Sequence, residues 1–242
     1  MTVIVLVHGG FLDAAGWAPV TRLLLDAGHD VRVPAVPNRS LVGDALHVRG
    51  FVERLRAPVL LVGHAYGGAV VTVAGVADNV VGLVYVAAFA LQEGESMGQL
   101  QGAFPDADLA ANLVYEPFVL ADGTYGTDVS VSIDAFPAVV AAGVDPAVVG
   151  VLAVAQRPLS ALAFSEVASR EAWSSRPAWG LVAAADRAVH PDVQRFGYAR
   201  AGVVRTVEVA GAPHLVMHRD PHAVVDLITE ALHHVAPERP SA

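Results

Sequence analysis

The chain has 242 residues, 54% of them hydrophobic and 16% charged, and its formal net charge is −9 at pH 7. These values predict one folded α/β domain with room for an insertion, and the acidic balance disfavours nucleic acid or an anionic membrane as a partner. The sequence holds no Cys and no Lys, which excludes thiolate chemistry, disulfides, Schiff-base catalysis and a P-loop lysine.

Apolar segments typical of buried strands alternate along the chain with helical patterns. Strands are predicted at residues 2–10, 30–37, 58–64, 80–89, 178–186 and 203–211. Helices are predicted at residues 17–29, 41–55, 67–77 and 220–235. Because continuously apolar strands have to be covered on both faces, this order predicts an α/β fold with a mostly parallel six-stranded sheet and helices on both sides.

Residues 91–175 interrupt this alternation with Gly, Pro and Asp punctuation and short apolar helical stretches. We therefore divide the chain into a core, residues 1–90 and 176–242, and a helical cap insertion, residues 91–175. The apolar stretches 136–144, 148–155 and 159–164 are expected to line a pocket beneath the cap. Residues 236–242 are expected to be a frayed end.

Four groups of chemically useful residues follow predicted strands. They are "HGGF" (8–11), "GHAYG" (63–67), Asp186 and His214. Functional side chains gather at the carboxyl ends of the strands in an open parallel sheet, so these groups are expected to meet. The segment "GHAYG" carries both glycines of the G-x-S-x-G turn that holds a hydrolase nucleophile, but Ala65 stands at the serine position, and a methyl group cannot attack a carbonyl.

Together with Trp17, the segments "HGG", "GHAYGG", "LVAAADRAVHP" and "PHLVMH" resemble those of a capped α/β hydrolase, of the branch that contains small esterases and hydroxynitrile lyases. The resemblance covers nearly the whole chain and is weakest in the cap. It implies an α/β-hydrolase fold with the order nucleophile, acid, histidine, here Ala65, Asp186 and His214. The sequence departs from the family at Ala65, where the family has a serine.

The resemblance implies a role for each of these positions. His214 would take up a proton as general base and return it as general acid. Asp186 would accept a hydrogen bond from the other ring nitrogen and fix the tautomer of His214. Asp192 competes as the acid, but its place beyond Pro191 favours a position inside a helix, where it would interact with the helix dipole.

The turns next to these side chains supply main-chain donors. The backbone N–H of Tyr66, together with that of Gly10 or else Phe11, would form an oxyanion hole. We assign His64 and Trp17 to the substrate-binding region. His64 would either line the site or support the turn, and Trp17 would pack near the pocket entrance.

Three hypotheses explain Ala65. In the first, alanine replaces the serine of a carboxylic ester or lactone hydrolase that acts on a small hydrophobic substrate, so that this form is inactive or strongly impaired. In the second, the alanine is natural, and His214 and Asp186 act as a general base in a lyase, cyclisation or proton-transfer reaction. In the third, the protein binds a small apolar ligand without catalysis.

Further partners are few in this interpretation. His214, His218 and His222 recur at intervals of four, but Pro221 interrupts any helix through them, so no metal is predicted. No cofactor, nucleic acid or membrane partner is expected, and the chain is expected to be a monomer or a homodimer. The N-terminal segment has no basic region before its short apolar run and is interpreted as a strand, which predicts a cytoplasmic protein.

Overall fold

The computed structural model describes residues 2–236. Of the predicted frayed end, residues 237–242 lie outside the described residues. The described part contains nine strands, namely β1 (Val3–Val7), β2 (Val31–Arg32), β3 (Val59–His64), β4 (Val80–Val86), β5 (Leu113–Val119), β6 (Tyr125–Val131), β7 (Leu159–Ser160), β8 (Ala178–Ala183) and β9 (Arg205–Val209). It contains ten α-helices, namely α1 (Ala18–Asp26), α2 (Leu41–Glu53), α3 (Tyr66–Ala74), α4 (Met97–Gly102), α5 (Phe136–Val139), α6 (Pro146–Val154), α7 (Leu162–Ser165), α8 (Pro191–Arg200), α9 (Val216–Arg219) and α10 (Pro221–Val235).

Six strands form the main sheet in the order β2-β1-β3-β4-β8-β9, and every neighbouring pair is parallel. Each of the six lies within a segment predicted as a strand. All residues of β1, β3 and β8 are buried, because helices cover both faces of the sheet. This confirms the predicted parallel six-stranded sheet.

The two faces of β8 show how the helices are divided between the sides of the sheet. Trp179 faces α10, where its ring lies 5.2 Å from the ring of His234. The next residue, Gly180, faces α8, and a Cβ built on it would lie 2.4 Å from the ring of Tyr198. Helix α1 packs with α10 on the first side, and α2 packs with α3, which also contacts β1, β3 and β4.

The insertion, which we keep as a proposed division at residues 91–175, contains structure that the sequence analysis did not predict. Strands β5, β6 and β7 form an antiparallel sheet in that order. Most of β5 is exposed, and Glu116-Pro117 interrupts its apolar residues, whereas β1 and β4 are continuously apolar. The signal was Asp122-Gly123, a hairpin turn dipeptide, with Gly123 at φ +83°.

Within residues 2–236, no helix combines the length and the hydropathy that crossing a bilayer requires.

Candidate active site

A sharp turn joins β3 to α3, and Ala65 is the only residue between them. Ala65 adopts φ 50° and ψ −119°, a region that a residue with a Cβ rarely occupies. Such a conformation costs on the order of 1–3 kcal/mol and persists only where the surrounding structure enforces it. The amide of Ala65 donates to the carbonyl of Val86 (3.3 Å), and its carbonyl accepts from Gly68 (3.0 Å). The strained backbone therefore belongs to a turn that is held at both ends.

The two flanking glycines make this turn possible. A Cβ at Gly63 would lie 2.5 Å from the carbonyl oxygen of Gly67, and a Cβ at Gly67 would lie 2.4 Å from the carbonyl oxygen of Val7. Both obstacles are main chain and cannot rotate away. The glycines of the sequence motif are thus required by the close approach of β1, β3 and α3.

His214 and Asp186 form a buried hydrogen-bonded pair at the ends of the last two core strands. Asp186 follows β8 and His214 follows β9, and His214 Nδ1 lies 2.8 Å from Asp186 Oδ2. Because the carboxylate accepts, Nδ1 carries the proton and Nε2 of His214 is left with its lone pair. The side chain of Asp186 is fully buried and that of His214 is 9% exposed.

The carboxylate of Asp186 is held by three further donors. Its Oδ1 accepts from the backbone N–H of Ala188 (2.8 Å) and of Val189 (2.9 Å). Its Oδ2 accepts from Nε2 of Gln194 at 2.8 Å, on the same oxygen that binds His214. Gln194 is itself fixed on α8, since Nε2 also donates to the carbonyl of Val189 and Oε1 accepts from Ala183. The acid therefore presents one fixed oxygen to His214.

The sequence analysis missed Gln194, although a signal was present. Gln194 is fully buried and lies on α8 between the buried residues Val193 and Gly197. A polar side chain on the apolar face of a helix indicates a buried hydrogen-bonding partner. Asp192, the competing candidate for the acid, lies in the first turn of α8 and pairs with Arg195 at 2.6 Å instead.

Ala65 and His214 line one cavity of about 270 Å³. Its wall is mostly apolar, and apart from Tyr66 its polar side chains are those of Gln101, Asp106 and His214. The residues that line it are Gly10, Phe11, Ala65, Tyr66, Phe89, Met97, Gly98, Gln101, Gly102, Asp106, Ala107, Leu109, Ala110, Leu113, Leu159, Phe164, Ala188, Val189 and His214. Neither Ser nor Thr is among them. The cavity is thus lined both by the turn at Ala65, called the elbow below, which carries no hydroxyl, and by His214. The Nε2 atom of His214 is not bound by Asp186.

Three backbone positions predicted as oxyanion donors, Gly10, Phe11 and Tyr66, also line this cavity. Tyr66 is the first residue of α3, where an amide N–H has no partner inside the helix. Neither Gly10 nor Tyr66 donates its amide to another group within residues 2–236. Phe11, at φ 63°, forms an isolated bridge with Arg157, whose N–H donates to its carbonyl at 3.3 Å. The geometry therefore favours Gly10 over Phe11 as the partner of Tyr66.

The predicted lining of the pocket is correct only in part. Leu159 and Phe164 come from the stretch 159–164 and line the cavity, whereas no residue of the stretches 136–144 or 148–155 does. On α6, Val151 and Val154 are largely exposed to solvent instead. The roof is built by α4 and the segment that follows it, residues 97–113, which the sequence analysis did not single out.

The roof is tied to the loop of the acid. The amide of Leu109 donates to the carbonyl of Arg187 at 3.1 Å, and the guanidinium of Arg187 pairs with Asp108 at 2.5 Å. Since Arg187 follows Asp186 directly, the roof and the acid belong to one connected structure.

His64 and Trp17 are not among the residues that line the cavity, so their assignment to substrate binding stays a prediction without support from this wall. Both are completely buried behind the cavity wall, with their rings edge to face at 6.1 Å. His64 lies directly before Ala65 at the end of β3, where side chains alternate between the two faces of the sheet. Its ring lies 4.5 Å from the ring of His214, outside the residues that form the cavity wall.

A buried carboxylate supports Tyr66 and was also missed. The hydroxyl of Tyr66 donates to Oδ2 of Asp44 at 2.7 Å, and Asp44 on α2 is 1% exposed. Burial raises the pKa of Asp44, and donation from Tyr66 opposes that rise. The signal lay in the spacing, because Asp44 falls on the same helix face as the buried residues Leu41 and Val48.

His8 ends the first strand and has a structural role. The N–H of Val36 donates to its Nε2 at 3.0 Å, so Nδ1 carries the proton and donates to the carbonyl of Gly9 at 2.9 Å. Burial lowers the pKa of His8. The histidines at 214, 218 and 222 separate, since His214 joins Asp186 and His218 lies on α9. Within residues 2–236, no three His, Asp or Glu side chains group as metal ligands.

A parallel sheet with a strained elbow, followed by an acid and a histidine after later strands, defines an α/β hydrolase. The chain belongs to the alpha/beta hydrolase family, whose model matches residues 4–227. This confirms the fold class and the resemblance drawn from the motifs. No curated protein matches the chain.

Solved structures with the same fold are similar over nearly the whole chain. Polyneuridine aldehyde esterase has a TM-score of 0.79 at 18% identity, with 96% of this chain and 99% of that chain covered. A pyrethroid hydrolase from Sphingobium faniae has a TM-score of 0.72 at 20% identity, with coverages of 95% and 96%. Tomato methylketone synthase I, as a variant complexed with β-ketoheptanoate, has a TM-score of 0.77 at 14% identity, with coverages of 97% and 99%.

Proposed function

We propose that the chain has the active-site scaffold of a carboxylic ester or lactone hydrolase, with the nucleophile position occupied by Ala65. One observation carries the proposal: Ala65 and His214 line the same cavity, and His214 is paired behind that wall with the buried Asp186. The names of two structural neighbours, an aldehyde esterase and a pyrethroid hydrolase, are consistent with this class.

The chemistry follows from what each group can do once a hydroxyl stands at position 65. Nε2 of His214 would accept the hydroxyl proton as the oxygen attacks the substrate carbonyl, and it would then pass that proton to the leaving alkoxide. Asp186 would stabilise the imidazolium through its bond to Nδ1. The amides of Gly10 and Tyr66 would stabilise the negative oxygen of the tetrahedral intermediate. Water would then release the acid and restore the hydroxyl.

The cavity supports a small uncharged substrate. Its wall is apolar over most of its area, and no Arg among residues 2–236 lines it. Asp106 is the acidic side chain on that wall and it is exposed at the surface. A charge that the substrate keeps throughout the reaction would lack a cationic partner there, so among esters those without a charged group are favoured.

The test is Ala65→Ser, assayed with p-nitrophenyl acetate and butyrate. We expect hydrolysis that follows Michaelis–Menten kinetics in this variant and that is lost again in Ala65→Ser/His214→Ala. The matched control is Ala110→Ser, which adds a hydroxyl to the same cavity wall away from the elbow and should leave activity at the level of the unmodified chain. Esterase activity equal in Ala65→Ser and Ala110→Ser would overturn the proposal.

A second candidate is general acid–base catalysis by the chain with its alanine in place. It is favoured by the absence of any Ser or Thr from the cavity wall while His214 and Asp186 stay paired. The similarity to a methylketone synthase complexed with a β-keto acid suggests the reaction. The bond between the α-carbon and the carboxylate carbon would break, carbon dioxide would leave, and the electron pair would remain as an enolate. His214, having taken a proton from solvent water on Nε2, would deliver that proton to the α-carbon of the enolate, and the hydroxide left would take up carbon dioxide as bicarbonate.

β-Ketoheptanoate distinguishes the candidates. Carbon dioxide release by the unmodified chain that is lost in His214→Ala supports the second candidate. Saturable binding without turnover, by this acid or by p-nitrophenyl butyrate in both the unmodified chain and Ala65→Ser, would instead indicate a small-ligand-binding protein.

A further inference from the structure

The side chain of His64 forms a hydrogen bond to the main chain of His214 outside the cavity wall. Its Nε2 lies 3.0 Å from the carbonyl oxygen of His214, across 150 residues of sequence. The two rings are 4.5 Å apart, with their planes tilted by 46°. His214 is thus held at two points, by Asp186 at its ring and by His64 at its backbone.

The partner of His64 defines its tautomer. A carbonyl oxygen only accepts, so Nε2 of His64 carries the proton and donates it. The other nitrogen, Nδ1, is completely buried and has no hydrogen-bond partner within the described residues. A Cβ at Gly9 would lie 2.9 Å from that Nδ1, so the ring fills a slot that requires a glycine opposite.

The surroundings also keep this ring neutral. Burial is the largest cause that lowers the pKa of His64, and the neighbouring His214, His218 and His8 lower it further. A proton on Nδ1 would find no acceptor. A neutral His64 keeps a second cation away from His214 at the moment that His214 becomes charged.

We propose that His64 is a positioning residue. Its Nε2–H hydrogen-bonds to the main chain of His214, and this bond keeps the imidazole of His214 close to the elbow and hydrogen-bonded to Asp186. The bond links the nucleophile turn directly to the histidine loop, because His64 is the residue before Ala65. Only the kinetic arm of the test rests on the proposed function.

Two variants separate this donor from the mere presence of a polar side chain. In His64→Gln the side-chain amide nitrogen can take the place of Nε2 and still donate. In His64→Asn the amide is one carbon shorter, reaches only the position of Nδ1, and leaves the His214 carbonyl without its donor. The probe is the low-field proton resonance of His214 Nδ1–H, assigned in histidine-labelled protein by its loss in His214→Ala.

We expect this resonance in the unmodified chain and in His64→Gln, and at least tenfold faster proton exchange in His64→Asn. Equal exchange in the Asn variant and the unmodified chain would overturn the proposal, as would equal loss in both variants. Should His64→Asn fail to fold, the ¹⁵N chemical shifts of the His64 ring in the unmodified chain decide. The proposal requires a neutral ring protonated at Nε2, and a ring that is charged or protonated at Nδ1 refutes it.

The kinetic arm uses the Ala65→Ser background. There His64→Asn should lower kcat on the order of ten- to a hundredfold with little change in KM, because misplacement of the base affects the chemical step. His64→Gln should stay within a few-fold of its parent. An inactive Ala65→Ser parent would count against the proposed function, and the resonance measurement would still decide the role of His64.

Discussion

Tyr66→Phe removes one oxygen atom from the residue that follows the elbow. The hydroxyl lies 2.7 Å from Oδ2 of Asp44, and both residues are at most 2% exposed. Water therefore cannot easily replace the lost donor. The other oxygen of Asp44 keeps a long contact of 3.4 Å to the amide of Arg39. The substitution leaves a buried carboxylate oxygen unpaired.

The expected cost follows from that geometry. A hydrogen bond to a charged group contributes about 1.5–3 kcal/mol, and a buried acceptor without its donor loses that amount. For a chain of this size each kcal/mol corresponds to a Tm shift of about 2–4 °C, so we expect Tm to fall by about 3–12 °C. Phe keeps the ring, so apolar packing changes little.

The cost also depends on pH with a definite sign. Burial raises the pKa of Asp44 above the ordinary value of an aspartate, and loss of the Tyr66 donor raises it further. A raised carboxyl pKa stabilises the folded chain at low pH, and that stability is lost as pH rises through the folded value. The destabilisation by Tyr66→Phe should therefore be smaller at pH 5 than at pH 8.

Thermal unfolding by circular dichroism at these two pH values tests this reasoning. Asp44→Asn is the matched control, since its amide oxygen can still accept from Tyr66 while the pH-dependent charge is gone. In the Asp44→Asn background, Tyr66→Phe should cost nearly the same at both pH values. An unchanged Tm at pH 8, or a larger loss at pH 5 than at pH 8, would refute the account of this pair.

Three further predictions concern the elbow, the buried histidines and the roof. Gly67→Ala should lower the free energy of unfolding by about 3 kcal/mol or more, because the new Cβ would lie 2.4 Å from main chain. Gly150→Ala is the control: it lies in open space on α6 and should raise the free energy of unfolding by about 0.5–1 kcal/mol. Urea unfolding of both variants measures the difference. Burial lowers the pKa values of His8 and His64 below 6.5, so the unfolded chain binds more protons and stability should fall as pH drops below 6.5; a urea midpoint constant from pH 7.5 to 5 would contradict this. Arg187→Ala removes the ion pair between Arg187 and Asp108 of the roof. In the Ala65→Ser background it should change KM for p-nitrophenyl butyrate and leave Tm nearly unchanged, because an exposed ion pair contributes at most about 1 kcal/mol. An altered Tm with the same KM would argue against a role of this pair in the roof.

The core could be predicted from the sequence because its signals are local. Strands β1, β3, β4 and β8 lie in continuous apolar runs, and the glycines at 63 and 67 mark a turn that only residues without a Cβ permit. The order of Ala65, Asp186 and His214 then placed the site, since the ends of parallel strands meet at one edge of the sheet.

The insertion and the supporting residues depend on contacts between distant segments. Strand β5 is largely exposed and its apolar residues are interrupted by Glu116-Pro117, and the roof at residues 97–113 mixes apolar residues with Gly, Gln and Asp around the six-residue helix α4. His64 bonds to His214, which lies 150 residues away in sequence, and Asp44 bonds to Tyr66, which lies 22 residues away. Sequence spacing alone does not predict either contact. The apolar stretch on α6 misled the prediction, because its exposed valines face away from the cavity.

Covalent labelling tests most directly whether the elbow, the histidine and the cavity form one catalytic site. Ala65→Ser, Ala65→Ser/His214→Ala and the unmodified chain are incubated with a fluorophosphonate, and intact mass is measured. The account predicts one adduct per chain at position 65 in Ala65→Ser, and none in the other two. An Ala65→Ser chain that folds like its parent and takes up no label, or one that labels equally well without His214, would contradict it.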